Sequence, residues 1–598
     1  MIMNNLYKYF IYALCMSSFF SGCSFLDEDP THIGTAETTY TTAGGLELAL
    51  NSCYSSLRDV HEDKTLWLSG TDLFGRDGVP LGLTWTSTGF DSYSNQSHTS
   101  DNKVFYNFWT RCYQAINRTN LVINKCSNIQ MDEGLRNKRL AEAFVLRALF
   151  YYYLVEQFGD IPLLLKDTDE IIVTAERIPE EKIYNQIITD IENNKDFLDW
   201  EVDKFGRVGK GYAYALLSKL YLTRGYKTYA DTKDFEKAAF YAQEIINKKD
   251  VYKLLDDYGK IFEPGNEKND EIIFSVQYSE DLTLNGKGNN AHTSFGTYDG
   301  WVGMDRSTRY NRRLNIFSES FFLLYLYGVN PITGKPLIAE IENGLPDGTS
   351  LIQLNPYANF RIDKRFDGTF LREFIADKDA KNYKPQLGAD PKKANVTKTI
   401  KKGEIAMYMP YPNEPMTYEQ VEKVNYQVLN HTMYHRRTSE QWAGDARNAR
   451  PLLNKFWEPG RYDDYKGVRD LFLMRLGEVY LLAAEAYYKN GQLQEAVDCI
   501  NVLRKRAYGK DWNDNYKIST EEINIDFILD ESGRELAGEA HRWVDLKRTG
   551  KLIERVLKYN LQAGHINTSF ISEKHYLRPL PFEWTSRLQN KVEQNPGY

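Results

Sequence analysis

The chain has 598 residues, enough for several cores or one extended repeat body. At 26% charged and 42% apolar residues it reads as globular rather than disordered, and 42 Tyr against 30 Phe and 10 Trp supplies many rings with a polar tip, suited to half-buried and binding surfaces. A net charge of −8 with no long Lys/Arg tract excludes a protein built to hold nucleic-acid phosphates.

In chain order, residues 1–22 come first. They carry one lysine, Lys8, then the apolar run Tyr9–Phe20, then Ser21-Gly22. This predicts a signal peptide: the run is too short for the ~20 residues that a membrane span needs. Phe20-Ser21-Gly22-Cys23 resembles the bacterial lipobox, with Phe20 where leucine is usual. Cys23 is therefore the expected lipidation site, acylated with palmitate-type chains whose methylenes each add ~0.8 kcal/mol of membrane affinity. The acids Asp27, Glu28 and Asp29 resemble a surface-export signal of Bacteroides-type lipoproteins. Cys15 would leave with the signal, and the rest, Cys53, Cys112, Cys126 and Cys499, form no CxxC pair and have no histidine cluster. They read as isolated buried thiols, with one disulfide among the first three left open, and zinc is not expected.

Most of the remainder reads as amphipathic helix. Leu140, Phe144, Ala148, Tyr151 and Val155 recur at three- and four-residue steps, and Gly159 and Pro162 follow as stops. Further helices are expected near 43–58, 104–126, 180–198, 209–225, 234–248, 468–489, 492–507, 521–537 and 540–549. Three segments pair like tetratricopeptide repeats: 484–507, 214–225 with 235–246, and 139–157 with 180–198. In the clearest, Ala484, Tyr487, Gly491, Ala496, Ile500 and Leu503 fall at the spacing of that motif, small residues letting the helices approach and larger ones filling the groove. The expected fold class is all-α, a tetratricopeptide-like scaffold of helical pairs. Residues 59–103, 263–313 and 328–465 are irregular, rich in Gly, Pro, Asn and aromatics. They are too long for passive loops and are expected to bind something.

Six stretches in order carry a resemblance: "CSFLDEDP" from 23, "LRALFYYYLVEQFGDIPLL" (146–165), "NDEIIFSVQY" (269–278), "LFLMRLGEVYLLAAEAYYKNGQLQEAVDCINVLRKRA" (471–507), "ILDESGRELAGEAHRWVDLKRTG" (528–550) and "HYLRPLPFEWTSRLQNKVEQNPGY" (575–598). Together they resemble the SusD/RagB family of outer-membrane lipoproteins. The resemblance implies a surface lipoprotein, anchored in the outer membrane and facing outward. It would sit as a lid on a TonB-dependent transporter of the SusC type and hold oligosaccharide, or in some members peptide, for import. It divides the chain into the signal peptide (1–22), an N-terminal helical region with the first insert (23–262) and a C-terminal region (263–598) whose insert, 263–465, precedes helices at 468–550. Ser532-Gly533 departs from the family's basic run; Gly533 is expected to weaken its helix by ~1 kcal/mol and to disturb local ion pairing.

No motif fixes the ligand contacts, so candidates are chosen by chemistry. A sugar's apolar face stacks on Trp or Tyr, and its hydroxyls need Asp, Asn or Arg at the ring edge. Such mixtures occur at Trp67, Asp72, Arg76, Trp85, Tyr93 and Asn95, again at Tyr298, Trp301, Asp305 and Arg306, and more weakly at Trp442. The competing reading is that each Trp plugs an insert onto the scaffold. Glu531, Glu535, Glu539 and Asp545, near Arg534, His541, Arg542 and Arg548, suit salt bridges rather than acid/base catalysis. Asp511, Asn513, Asn515, Ser519 and Glu522 match calcium-loop positions. However, Tyr516 stands where glycine is needed, and a capping box from Ser519 to Glu522 accounts for the last two without metal. The expectation is a binding protein with no cofactor and no nucleic-acid partner. The alternatives are peptide capture, a surface glycan hydrolase, or an interaction scaffold.

Overall fold

The computed structural model describes residues 40–76, 93, 97–126, 129–286, 288–295, 317–329, 361–383, 397–411, 414, 416–429, 452–459, 466–539, 541–560 and 571–598. Residues 1–22, the expected signal, Cys23 and the acids after it lie outside these. Ten helices carry the architecture: α1 (Ala43–Val60), α2 (Lys103–Cys126), α3 (Glu133–Phe158), α4 (Glu180–Asn194), α5 (Lys210–Arg224), α6 (Asp234–Asn247), α7 (Leu476–Lys489), α8 (Leu493–Tyr508), α9 (Ile525–Leu536) and α10 (Arg542–Arg548). They pack as successive neighbours, α1 on α2, α2 on α3, α3 on α4, α5 on α6, α6 on α7 and α7 on α8. This is the all-α, tetratricopeptide-like scaffold, and the three expected pairs are all formed.

Local chemistry sets the helix ends. Thr42 caps α1 by accepting from Gly45 N at 3.0 Å, and Asp132 caps α3 by accepting from Leu135 N at 2.8 Å. Gly159 ends α3 at φ +70°, where a Cβ would also lie 3.1 Å from Leu577. From Val145 to Phe158, α3 is buried on every face, so it is a central helix rather than the one-sided helix its periodicity suggests. The C-terminal tail straps it: Arg578 N donates to Gln157 O at 2.7 Å and Asn595 Nδ2 to Phe158 O at 2.9 Å.

The structure changes two helix expectations. Within the predicted 468–489 helix, Leu471–Arg475 is a strand, and the helix begins only at Leu476. The strands that matter here are β1 (Phe74–Arg76), β2 (Ile272–Val276), β3 (Phe317–Glu319) and β4 (Leu471–Arg475). β4 pairs antiparallel with β2, a partner far away in sequence that no local pattern reveals. The second change is at α9, whose cap is Asn524, accepting from Phe527 N at 2.9 Å, and not Ser519. Ser519–Glu522 is a turn in which the Glu522 carboxylate accepts from Ser519 N at 3.0 Å. Asn513 folds back on Asn515 N, and Asp511 pairs with Lys364.

The 528–550 stretch is an ion-pair hub. Glu535 accepts from Arg365, Arg475 and Arg506; Glu531 from Arg365 and Arg534; Glu539 from Lys455 and Arg475. All of these residues are buried but Arg506, which is half-buried with its side chain only 4% exposed. Gly533 does not disturb this pairing, as Glu531–Arg534 closes at 2.6 Å. Its role is close packing: a Cβ there would lie 2.5 Å from Leu326 Cδ2, on the short helix Phe321–Leu326. Cys53, Cys112 and Cys499 are free and buried, and burial pushes the Cys53 and Cys499 thiols up to about 12.

Candidate functional site

Two of the irregular inserts meet at one seam. β1, from the first insert, pairs antiparallel with β3, placing Arg76 opposite Phe317. Phe295 bridges the same Phe317 in parallel, and Phe317 N donates to Ser294 O at 3.0 Å. Asn289 bridges Gly467, which ties in the end of the third insert.

Beside the seam is a pocket of about 260 Å³. The end of α1 and the turn after it supply Glu62, Asp63 and Lys64, α2 supplies Asn107, Phe108 and Arg111, and the second insert supplies Asn290 and Ser294. Asp63 Oδ1 accepts from Thr65 N at 2.8 Å, which fixes the turn. Arg111 is held by Glu62 and by Asp59 O at 2.9 Å. The carboxamides of Asn107 and Asn290 make no hydrogen bond among the described residues. A carboxylate, two open carboxamides and a fixed guanidinium are groups that donate to and accept from paired hydroxyls.

The sequence-based candidates fall into two groups. Trp67, Asp72 and Tyr93 are core residues, not pocket residues. Trp67 is 1% exposed, with Tyr153 at 4.8 Å and Phe108 at 5.3 Å between ring centroids. Asp72 is bound by Arg542 (2.6 Å) and Arg555 (2.8 Å); burial acts to raise its carboxyl, but the two guanidinia hold it below the ordinary value. Tyr93, at φ +53°, donates to Gly70 O at 2.5 Å and stacks on His98. All three fasten the first insert to the scaffold, which is the competing reading for a ring-and-acid mixture. Trp85, Asn95, Tyr298, Trp301, Asp305, Arg306 and Trp442 lie outside the described residues, as does the Arg76 side chain. The pocket's own polar groups were not anticipated, because Asn107 and Arg111 sit in a segment assigned to scaffold. The available signal was their i,i+4 spacing around Phe108.

The acidic cluster offers no acid/base pair. Its carboxylates are taken by arginine and lysine, and burial, with Lys219 nearby, pushes His541 down to about 3, so it stays neutral at physiological pH. Among the described residues there is no group of three or more His, Cys, Asp or Glu arranged to hold a metal, and no helix is long and apolar enough to cross a membrane.

Residues 270–598, more than half of the chain, match the SusD family profile. The chain belongs to the SusD family. Residues 25–222 also match a second SusD-like profile, described as starch-binding associating with outer membrane. Among SusD-like relatives, SusD-like protein P2 of Formosa agariphila is 28% identical, over 96% of this chain and 97% of its own length. The starch-binding protein SusD of Bacteroides thetaiotaomicron is 24% identical over 82% of this chain and 78% of its own. A laminarin-binding SusD-like protein of known structure superposes with a TM-score of 0.63 at 20% identity, covering 94% of this chain and all of that one, a likeness of fold.

Proposed function

We propose that this SusD-family chain is a glycan-binding lipoprotein of the outer cell surface, a lid that captures oligosaccharide for a SusC-type TonB-dependent transporter, and not an enzyme. In this reading residues 1–22 are removed as the signal and Cys23 carries the lipid anchor. The halves 23–262 and 263–598 then enclose the ligand seam between them. Relatives named for starch and laminarin support a glycan as ligand. The observation that carries the proposal is the convergence of the inserts beside a pocket of open carboxamides and charged groups. Among the described residues that pocket offers hydrogen bonds but no exposed ring. The stacking platform is assigned, by residue chemistry alone, to Trp85, Tyr298 and Trp301.

The test is a panel of plant, host and microbial polysaccharides, read by retardation in affinity gels, calorimetry and reducing-end release. Retardation without release is expected; release without retardation would make the protein a hydrolase. Peptide capture would show as binding to oligopeptides and to no glycan. Cys23→Ala should lose the protein from the membrane fraction, and protease shaving of intact cells should remove the native form.

A further inference from the structure

Beneath the pocket floor is a second, much smaller cavity of about 20 Å³, room for one water-sized occupant. Among the described residues, two polar atoms on its lining residues have no hydrogen-bond partner: Lys64 Nζ and His61 Nδ1. Both residues are 3% exposed. Lys64 Nζ lies 4.3 Å from the face of Phe456 and feels the Glu539 carboxylate without hydrogen-bonding to it; burial pushes the ammonium down to about 7, against the pull of Glu539. His61 Nε2 lies 3.1 Å from Tyr153 OH; with the hydroxyl donating to Nε2, Nδ1 carries the proton and is an unused donor.

The other charged groups on the wall are already committed. Glu539 accepts from Lys455 and from two nitrogens of Arg475. Asp470 accepts from Tyr278 N and Gln277 Nε2. Arg469 donates to Glu267, Trp457 O and Phe262 O. Phenylalanine and leucine side chains make up the rest. What remains is two donors, the Lys64 ammonium and His61 Nδ1, without a hydrogen-bond acceptor, beside apolar walls around a space of atomic size. A buried ammonium with no acceptor is strongly disfavoured. A monovalent anion that accepts from both donors and needs no donor of its own satisfies them together.

We propose that this cavity is a site for a single halide-sized anion, chloride in the protein's surroundings, held by Lys64 Nζ and His61 Nδ1. Lys64 lines both the cavity and the larger pocket, so the ion has an entry past one side chain. By fixing Lys64 it would brace the turn that presents Glu62 and Asp63. The site stands whether or not the pocket binds glycan.

Crystals of the purified protein grown in sodium bromide provide the test. An anomalous peak is expected in the cavity, within contact of Lys64 Nζ, and an ordered water with no anomalous signal would overturn the assignment. In solution, the melting midpoint should climb with sodium chloride beyond its value in sodium gluconate of equal ionic strength. That increment should vanish in Lys64→Met; an equal increment in the variant would also overturn it. The bromide experiment needs no variant, so it decides even if Lys64→Met fails to fold.

Discussion

Arg365 and Lys64 are both cations removed from water, and their surroundings differ. Arg365 meets Asp363 at 2.6 Å, Glu531 at 2.8 Å and Glu535 at 2.9 Å, and its region ties the third insert to the helical pairs. Among the described residues Lys64 meets the Phe456 ring and the field of Glu539 but no hydrogen-bond acceptor, and its region borders the pocket where inserts converge. The first arrangement is complete within the chain. The second leaves donors unspent, as a place that awaits something from outside does. For these two cations, full pairing goes with packing and missing pairing goes with the edge of the pocket.

The strongest way to break the comparison is to remove one partner from the complete network. Arg365→Met leaves three buried carboxylates short of a cation, and this should cost about 3–5 kcal/mol. Denaturant melts should show a large fall in midpoint. Lys64→Met in chloride-free buffer should cost little or nothing, since it removes a buried charge that has no acceptor. Equal losses in the two variants would erase the distinction.

Acid probes the same network. Burial acts to raise the Glu531 carboxyl, but Arg365, Arg534 and Arg504 hold it down to about 2. A folded value below the ordinary 4.5 means stability that is present above pH ~4.5 and lost as pH falls toward 2. Glu156, held to about 2 against burial by Lys227 and Lys547, adds in the same direction. Unfolding free energy should therefore drop steeply between about pH 4.5 and 2, and Glu531→Gln should flatten that slope.

How much of this was legible in the sequence depended on range. The Glu531–Arg534 pair lies within one helical turn, and the helical pairs follow a local 3.6 period, so both could be read. Asp72 finds Arg542 across 470 positions, and β4 finds β2 across the inserts; no local pattern encodes either. Trp67 and Tyr93 misled for another reason. A ring beside an acid is the composition of a sugar platform and also of a core plug, and only burial separates them. The doubt placed on Gly533 came from reading a packing position as a helix-propensity fault.

That position gives the next, smaller effect. Gly533→Leu forces a side chain against buried Leu326, and overpacking of this kind costs about 1–3 kcal/mol, more than the roughly 1 kcal/mol that helix propensity returns. A rise in melting midpoint would show that the Phe321–Leu326 helix yields freely.

The smallest effect on stability should coincide with the clearest effect on binding. Asn107 is exposed on α2, makes no hydrogen bond among the described residues and faces the pocket. Removing its carboxamide strands no buried partner, so Asn107→Ala should move stability by no more than about 0.5 kcal/mol. If it hydrogen-bonds a ligand hydroxyl, the loss is one neutral bond, about 1 kcal/mol or roughly fivefold in Kd. Calorimetry on whichever glycan retards the protein reads this directly. Affinity unchanged in Asn107→Ala and in Asn290→Ala would remove the pocket from the binding surface and leave ligand capture to the aromatic candidates Trp85, Tyr298 and Trp301.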